Sequence, residues 1–257
     1  MAEPELVRSR GLFVAEGRVV VRRLIEGGRH RLRSVLVNDA SYRSLETTLA
    51  SAGEQVPIYL CATADFLGIT GYDLHRGCLA LVERPTPLTV GGILDAVTLK
   101  PRATLVVLEA VTNADNIGAV FRNAAALGAD AVLLSPACCD PLYRKAIRTS
   151  MAATLRLPFA RVEQWPDGLE AMRAGGFTIV ALTPRDPSIA LGLFADAPRP
   201  ARIALLIGTE GPGLTPAAEA AADLRVRIPI VPECDSLNLA VAAAIALYCL
   251  RTRSVSE

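Results

Sequence analysis

Lysine is almost missing from this chain. Only Lys100 and Lys145 occur among 27 basic residues, so nearly all positive charge sits on arginine. Aromatic residues make up 5% of the 257 positions, so a core has to be built from Ala, Val and Leu. Histidine is scarce, with His30 and His75 alone, and Cys61, Cys78, Cys138, Cys139, Cys234 and Cys249 form no C-x-x-C pair. Without ligand spacing a zinc site is not expected, and no metal ligand is assigned. Buried free thiols are the simpler reading of the cysteines. No apolar run reaches the roughly 18 uninterrupted residues that a membrane span needs, so a membrane protein is not expected. Met1 to Arg10 is charged and lacks the apolar centre of a signal peptide, which points to a cytoplasmic location.

What the chain has is apolar bulk. Hydrophobic residues are 51% of it, and the length suits one large domain or two modest ones. The formal net charge is +1, which does not advertise a nucleic-acid partner. The distribution says more. Met1 to Val35 holds eight arginines (Arg8, Arg10, Arg18, Arg22, Arg23, Arg29, Arg31, Arg33) against four glutamates (Glu3, Glu5, Glu16, Glu26). Arginine forks onto phosphate oxygens and stacks on bases, so this segment is a candidate RNA grip. Solvated faces remain the plainer explanation of the same charges.

The pattern divides the chain. Val14 to Val82 reads as a small α/β unit, with helical spacing from Glu16 to Gly27 and strands at Ser34–Asn38, Val56–Leu60 and Gly77–Val82. Glu83 to Gly92 collects prolines and glycines, a linker composition. We therefore expect domains at residues 1–84 and 101–257 with a linker at 85–100. Beyond it, apolar strands (Thr104–Glu109, Ala131–Leu134, Thr178–Leu182, Ile203–Ile207, Val226–Ile230) alternate with helical stretches (Ile117–Leu127, Trp165–Ala174, Pro216–Ala222, Leu239–Leu250). Such alternation predicts an α/β fold with a mostly parallel sheet covered on both faces.

In sheets of this kind ligands sit at the carboxyl ends of the strands. Three polar turns fall there. Asn113 to Arg122 follows the first strand, and apolar or small neighbours around Arg122 imply a partner for its charge, either an internal carboxylate or a bound phosphate. A capped helix with a structural arginine explains the same residues. Gly208-Thr-Glu-Gly-Pro-Gly213 is a sharp, backbone-exposing loop that lacks both the phosphate-cradling and the dinucleotide glycine patterns. A plain tight turn is the alternative. Ile228 to Asn238 leads into the last helix, where Ser236 or Asn238 is a candidate cap.

In order and spacing, Asn113–Ala124, Leu206–Leu214 and Ile228–Ala243 resemble the three motifs of the SpoU (TrmH-like) branch of the SPOUT methyltransferases. Phe13-Val-Ala-Glu-Gly17 and Gly77-Cys-Leu-Ala80 resemble, less closely, a ribosomal-protein-like substrate-binding domain found in that family. The resemblance implies a C-terminal trefoil knot forming the cofactor pocket, a homodimer, S-adenosylmethionine as methyl donor, and an RNA ribose 2′-hydroxyl as acceptor, with ribosomal RNA favoured over transfer RNA. It places cofactor contacts at Gly208, Gly211, Ile228, Leu237 and Thr183. It makes Arg122 the catalytic arginine, supported by Asn116, Glu210, Ser236 and Asn238. Whether Arg122 is the base or an orienting cation stays open. So does the role of Ser150, since Ser150-Met-Ala152 stands where a Ser-Ala-Gly-like turn is usual. A non-catalytic RNA-binding protein and a nucleotide-binding metabolic enzyme are the rival readings.

Overall fold

A computed structural model describes residues 3–70 and 77–252, and His75 lies outside them. The chain divides into two compact units. Unit 1 holds the residues up to Thr86 together with Asp140–Leu155, and unit 2 holds Pro87–Cys139 and the chain from Arg156 onward.

Unit 1 begins with α1 (Glu3–Ser9), β1 (Leu12–Glu16), α2 (Arg18–Gly27), β2 (Leu32–Val37), α3 (Asp39–Ala50), β3 (Ile58–Leu60), α4 (Phe66–Thr70) and β4 (Cys78–Glu83). The sheet order is β1-β4-β2-β3, antiparallel except for the parallel β2–β3 pair. Helix α2 turns Val20, Val21, Leu24 and Ile25 inward, which is the spacing of one helical face. Central strand β4 buries Cys78, and that burial pushes the Cys78 thiol up to about 12, against the weaker opposing pull of Arg18. A thiol that stays protonated is inert, as expected of a core cysteine.

Unit 2 opens with α5 (Val90–Thr98), β5 (Ala103–Glu109), α6 (Ala114–Ala126) and β6 (Ala131–Leu134). The chain then supplies α7 (Arg144–Thr149) to unit 1. It returns with β7 (Phe159–Arg161), α8 (Leu169–Ala174), β8 (Thr178–Leu182), β9 (Ile189–Ala190), α9 (Leu191–Asp196), β10 (Arg202–Gly208), α10 (Pro216–Ala220), β11 (Leu224–Arg227) and α11 (Leu239–Thr252). The seven strands run β7-β6-β5-β10-β8-β11-β9, all parallel. Strands β5, β6 and β10 are buried almost throughout because alternate residues face opposite helix layers. On one face Leu105, Val107, Leu133 and Leu206 pack with Ile93 and Leu94 of α5 and Met172 of α8. On the other, α11 packs on α6 and on β10.

Two features depart from the sequence reading. The stretch expected as linker contains α5. Thr89 caps it by accepting from the Gly92 amide, and Ile93, Leu94 and Val97 bury one face. The apolar face outweighs the helix-weakening glycines beside it. The second departure is Asp140–Leu155, which belongs to unit 1. Buried Glu16 accepts hydrogen bonds from Arg144 and from Arg148, the latter at 3.1 Å. Arg84 pairs with Asp140 at 2.8 Å, Arg23 donates to the Met151 carbonyl at 2.6 Å, and His30 Nε2 meets the Leu155 carbonyl at 2.9 Å. Ser150 is buried in this segment, where its hydroxyl donates to the Ile147 carbonyl at 2.9 Å and lies near the Thr154 amide, contacts that close the turn.

That turn holds Met151 at φ 51° and Ala152 at φ 67°. Side-chain-bearing residues reach this left-handed region at a cost of about 1–2 kcal/mol each. Ala152→Gly is expected to raise stability by about 1 kcal/mol, read by denaturant unfolding. A loss of stability in that variant would contradict the strain.

Candidate active site

The three polar turns meet at one side chain, Asn238. Its Oδ1 accepts from the amides of Ala240 at 3.0 Å and Val241 at 3.3 Å, which caps the start of α11. Its Nδ2 donates to Glu210 Oε1 at 2.7 Å and, over a longer 3.4 Å, to Asn116 Oδ1. One amide therefore satisfies a helix end and also links α6, the loop after β10 and the segment after β11. A carboxyl group in its place would keep the cap and lose the donor.

Asn116 is buried in the first turn of α6. That helix is capped by Asn113, whose Oδ1 accepts from the Asp115 amide at 2.8 Å. Asn123, two turns on, donates to the Ala240 carbonyl at 2.8 Å and ties α6 to α11 again. Of the two partners expected for Arg122, an internal carboxylate or a bound phosphate, the first is absent among the described residues. Ile117, Val120, Phe121 and Ala124 form the buried face of α6, and Arg122, one residue past Phe121, is rotated by about 100° off it. Its guanidinium is exposed and makes no hydrogen bond or ion pair among the described residues.

The loop after β10 is shaped by backbone. A Cβ on Gly208 would lie 2.2 Å from the Gly213 carbonyl carbon and 2.3 Å from the Leu214 nitrogen, so only glycine lets the loop fold back here. The Gly213 amide donates to the Thr209 carbonyl at 3.1 Å, and Gly211 turns the chain at φ +80°.

Two residues that sequence reasoning missed brace this loop. Arg185 Nη1 donates to the Leu214 carbonyl at 2.9 Å and to Glu219 Oε1 at 3.0 Å, and its Nη2 donates to the Pro212 carbonyl at 2.7 Å. Glu109 is buried at the end of β5. It accepts from Trp165 Nε1 at 2.6 Å, from the Thr215 amide at 2.8 Å and from the Thr215 hydroxyl at 2.7 Å. Its signal was a carboxylate closing an otherwise apolar strand. Arg185 gave none, because its partners are carbonyls of a distant loop.

The remaining assigned residues are distributed unevenly. Thr183 is buried, its hydroxyl donates to Glu219 Oε1 at 2.6 Å, and its amide donates to the Val226 carbonyl at 2.9 Å. Its hydroxyl also accepts from the Arg185 amide at 3.2 Å. Ile228 and Leu237 are half-buried at the two ends of an irregular segment. Ser236 is exposed beside Asn238, and the cap falls to Asn238 instead.

Asn238→Ala is expected to lower stability by about 1–2 kcal/mol, through loss of the cap and of the Glu210 and Asn116 links. Asn238→Asp keeps the cap but sets a carboxylate against Glu210, so it should be no more stable than the alanine variant. Denaturant unfolding that finds the aspartate variant equal to wild type would refute the linkage.

Comparison with known proteins follows the same geometry. The model of the SpoU rRNA Methylase family matches residues 103–248. An uncharacterised tRNA/rRNA methyltransferase of Mycobacterium bovis is 41% identical over 253 residues, covering 98% of this chain and 84% of that protein. The 23S rRNA (guanosine(2553)-2'-O)-methyltransferase RlmP of Bacillus subtilis is 28% identical, covering 72% of this chain and 73% of its own. Among solved structures, the SpoU methyltransferase AviRb from Streptomyces viridochromogenes superposes with a TM-score of 0.80 at 27% identity, over 99% of this chain and 94% of that one. An AdoMet-bound rRNA methyltransferase from Sinorhizobium meliloti superposes with a TM-score of 0.79 at 25% identity, over 96% and 90% of the two chains. The family match takes in all of Asn113–Ala124, Leu206–Leu214 and Ile228–Ala243, and on this ground the chain belongs to the SpoU rRNA methylase family.

Proposed function

We propose that this chain transfers the methyl group of S-adenosylmethionine to a ribose 2′-hydroxyl of RNA, with ribosomal RNA favoured over transfer RNA. The observation that carries this reading is the meeting of Asn116, Glu210 and Asn238 at the carboxyl ends of parallel strands. The names of the mycobacterial and Bacillus relatives support the reaction class, and the Bacillus enzyme's name supports the 2′-oxygen. The AdoMet-bound neighbours support the donor.

The residues present fit that donor. Gly208 and Gly211 bring bare backbone to the strand end, while Ile228 and Leu237 offer apolar flanks to a flat base. Exposed Glu210 would add a carboxylate complementary to the positive charge of the donor. S-adenosylmethionine, when bound, supplies a methyl group already activated by that charge. In this reading the C-terminal segment forms a trefoil knot around the cofactor. The insertion of β11 between β8 and β9, both earlier in the chain, supports it, as does the return of α11 onto α6.

A ribose hydroxyl is a weak nucleophile and sheds its proton during attack. Arginine stays protonated throughout the ordinary pH range, which makes it a poor base. The Arg122 guanidinium has no partner among the described residues, so it is available as a charged donor to the hydroxyl oxygen or the adjacent phosphate. It then stabilises developing negative charge on that oxygen. Asn116 and Asn238 hold the two sides of the site in register, Glu210 receives the Asn238 amide, and exposed Ser236 would serve as a further supporting polar group.

Unit 1 takes the part of RNA-binding domain in this proposal, supported by exposed Arg22, Arg23 and Arg29 along and just beyond α2. A homodimer is supported by Val241 and Tyr248, large side chains left exposed on α11. Among the described residues no helix is long and apolar enough to cross a membrane, in keeping with a cytoplasmic enzyme.

Arg122→Ala is expected to lower methyl transfer to bulk RNA by about 100-fold or more. Calorimetry should find cofactor affinity within about threefold of wild type, since Arg122 acts on the acceptor. Turnover near the wild-type rate would overturn the assignment, and a failure of the wild-type chain to methylate any RNA would favour a binding protein.

A further inference from the structure

At the opposite end of the unit 2 sheet, beside the amino ends of β5 and β10, lies a cavity of about 200 Å³. Seven-residue strands separate it from the site above by roughly 20 Å. Its wall carries three guanidinium groups, Arg102, Arg199 and Arg251, with Leu247 and Leu250 of α11 forming an apolar side. Asp130 is the one acidic residue lining it, and both its oxygens are engaged. Oδ1 accepts from Lys100 Nζ at 2.5 Å and Oδ2 from the Thr104 amide at 2.7 Å.

Arg199 is the informative member. Its Nη2 donates to the Thr104 hydroxyl at 2.7 Å and its Nη1 to the Pro200 carbonyl at 3.0 Å, while its Nε is buried without a partner. Burial pulls this guanidinium below its ordinary value and the Arg102 charge adds to the pull, with Asp130 opposing. A half-buried cation held beside a second cation is costly unless an anion joins it. The Arg251 Nη1 reaches only the Ala126 carbonyl, at 3.5 Å. The carboxyl ends of α6 and α11 offset part of the positive field without supplying an acceptor to Arg199 Nε.

We propose that this cavity is a binding site for a phosphate group, held by Arg199 and Arg251 with Arg102 at its rim. Guanidinium forks match phosphate oxygens in pairs, and the volume is several times the roughly 30 Å³ share of one water. The phosphate belongs either to a small phosphorylated molecule or to the backbone of an RNA that also enters the site at the other end of the sheet. Nothing in the methyl-transfer reading requires it, and its failure leaves that reading untouched.

The test is calorimetric titration of the full chain with inorganic phosphate at constant ionic strength. Wild type is expected to bind one phosphate saturably. Arg199→Gln and Arg251→Gln should each weaken it about tenfold, the loss expected for a charge-assisted hydrogen bond. Exposed Arg43→Gln in α3 should not change it. Retained binding of S-adenosylmethionine checks that each variant is folded, and Arg251→Gln serves if Arg199→Gln is not. Displacement of phosphate by an RNA oligonucleotide supports a backbone phosphate as occupant, and binding that RNA leaves unchanged supports a small phosphorylated ligand. Absence of saturable binding, or equal weakening by Arg43→Gln, overturns the proposal.

Discussion

Both ends of the Asn238 amide are committed, and the candidate site depends on that double commitment. The oxygen end starts α11, and the nitrogen end reaches Glu210 and Asn116. Because a primary amide is planar, fixing one end fixes the direction of the other. The entry angle of the last helix and the spacing of the site are therefore one constraint. Asn123, bonded to the Ala240 carbonyl, holds the same two helices together two turns further along α6.

The loop after β10 is secured from its other side by groups that face away from Asn238. Arg185 ties its carbonyls to α10 through Glu219, and Glu109 holds the Thr215 cap of α10. These bonds link the carboxyl ends of β5, β8 and β10, so the sheet and its loops form one continuous polar lattice. Within that lattice Gly208 is the point of closest approach. Any side chain there would push the loop away from the strand that positions it.

Much of unit 2 was legible because its strands are uniform apolar runs bounded by polar turns. Strands β5, β6, β8 and β10 fall where the pattern put them, and the three motif turns contain Asn116, Glu210 and Asn238, which the fold brings together. What stayed hidden depends on contacts far apart in sequence. The capture of α7 by unit 1 rests on Glu16, more than a hundred residues before Arg144, and no local pattern carries that pairing. Helix α5 was concealed by prolines and glycines, although Thr89 and the apolar spacing of Ile93, Leu94 and Val97 were readable signals. The surroundings of Arg122 were hidden for a different reason: helical rotation places its apolar sequence neighbours on another face, so no internal carboxylate meets it there.

A single pocket for a methyl donor, formed by turns from three strand ends, should reveal itself in hydrogen exchange measured with and without S-adenosylmethionine. Added protection is expected in the segments 208–214 and 228–238 together, with none at residues 126–130 or 199–202. Protection confined to one turn, or centred at the other end of the sheet, would contradict it.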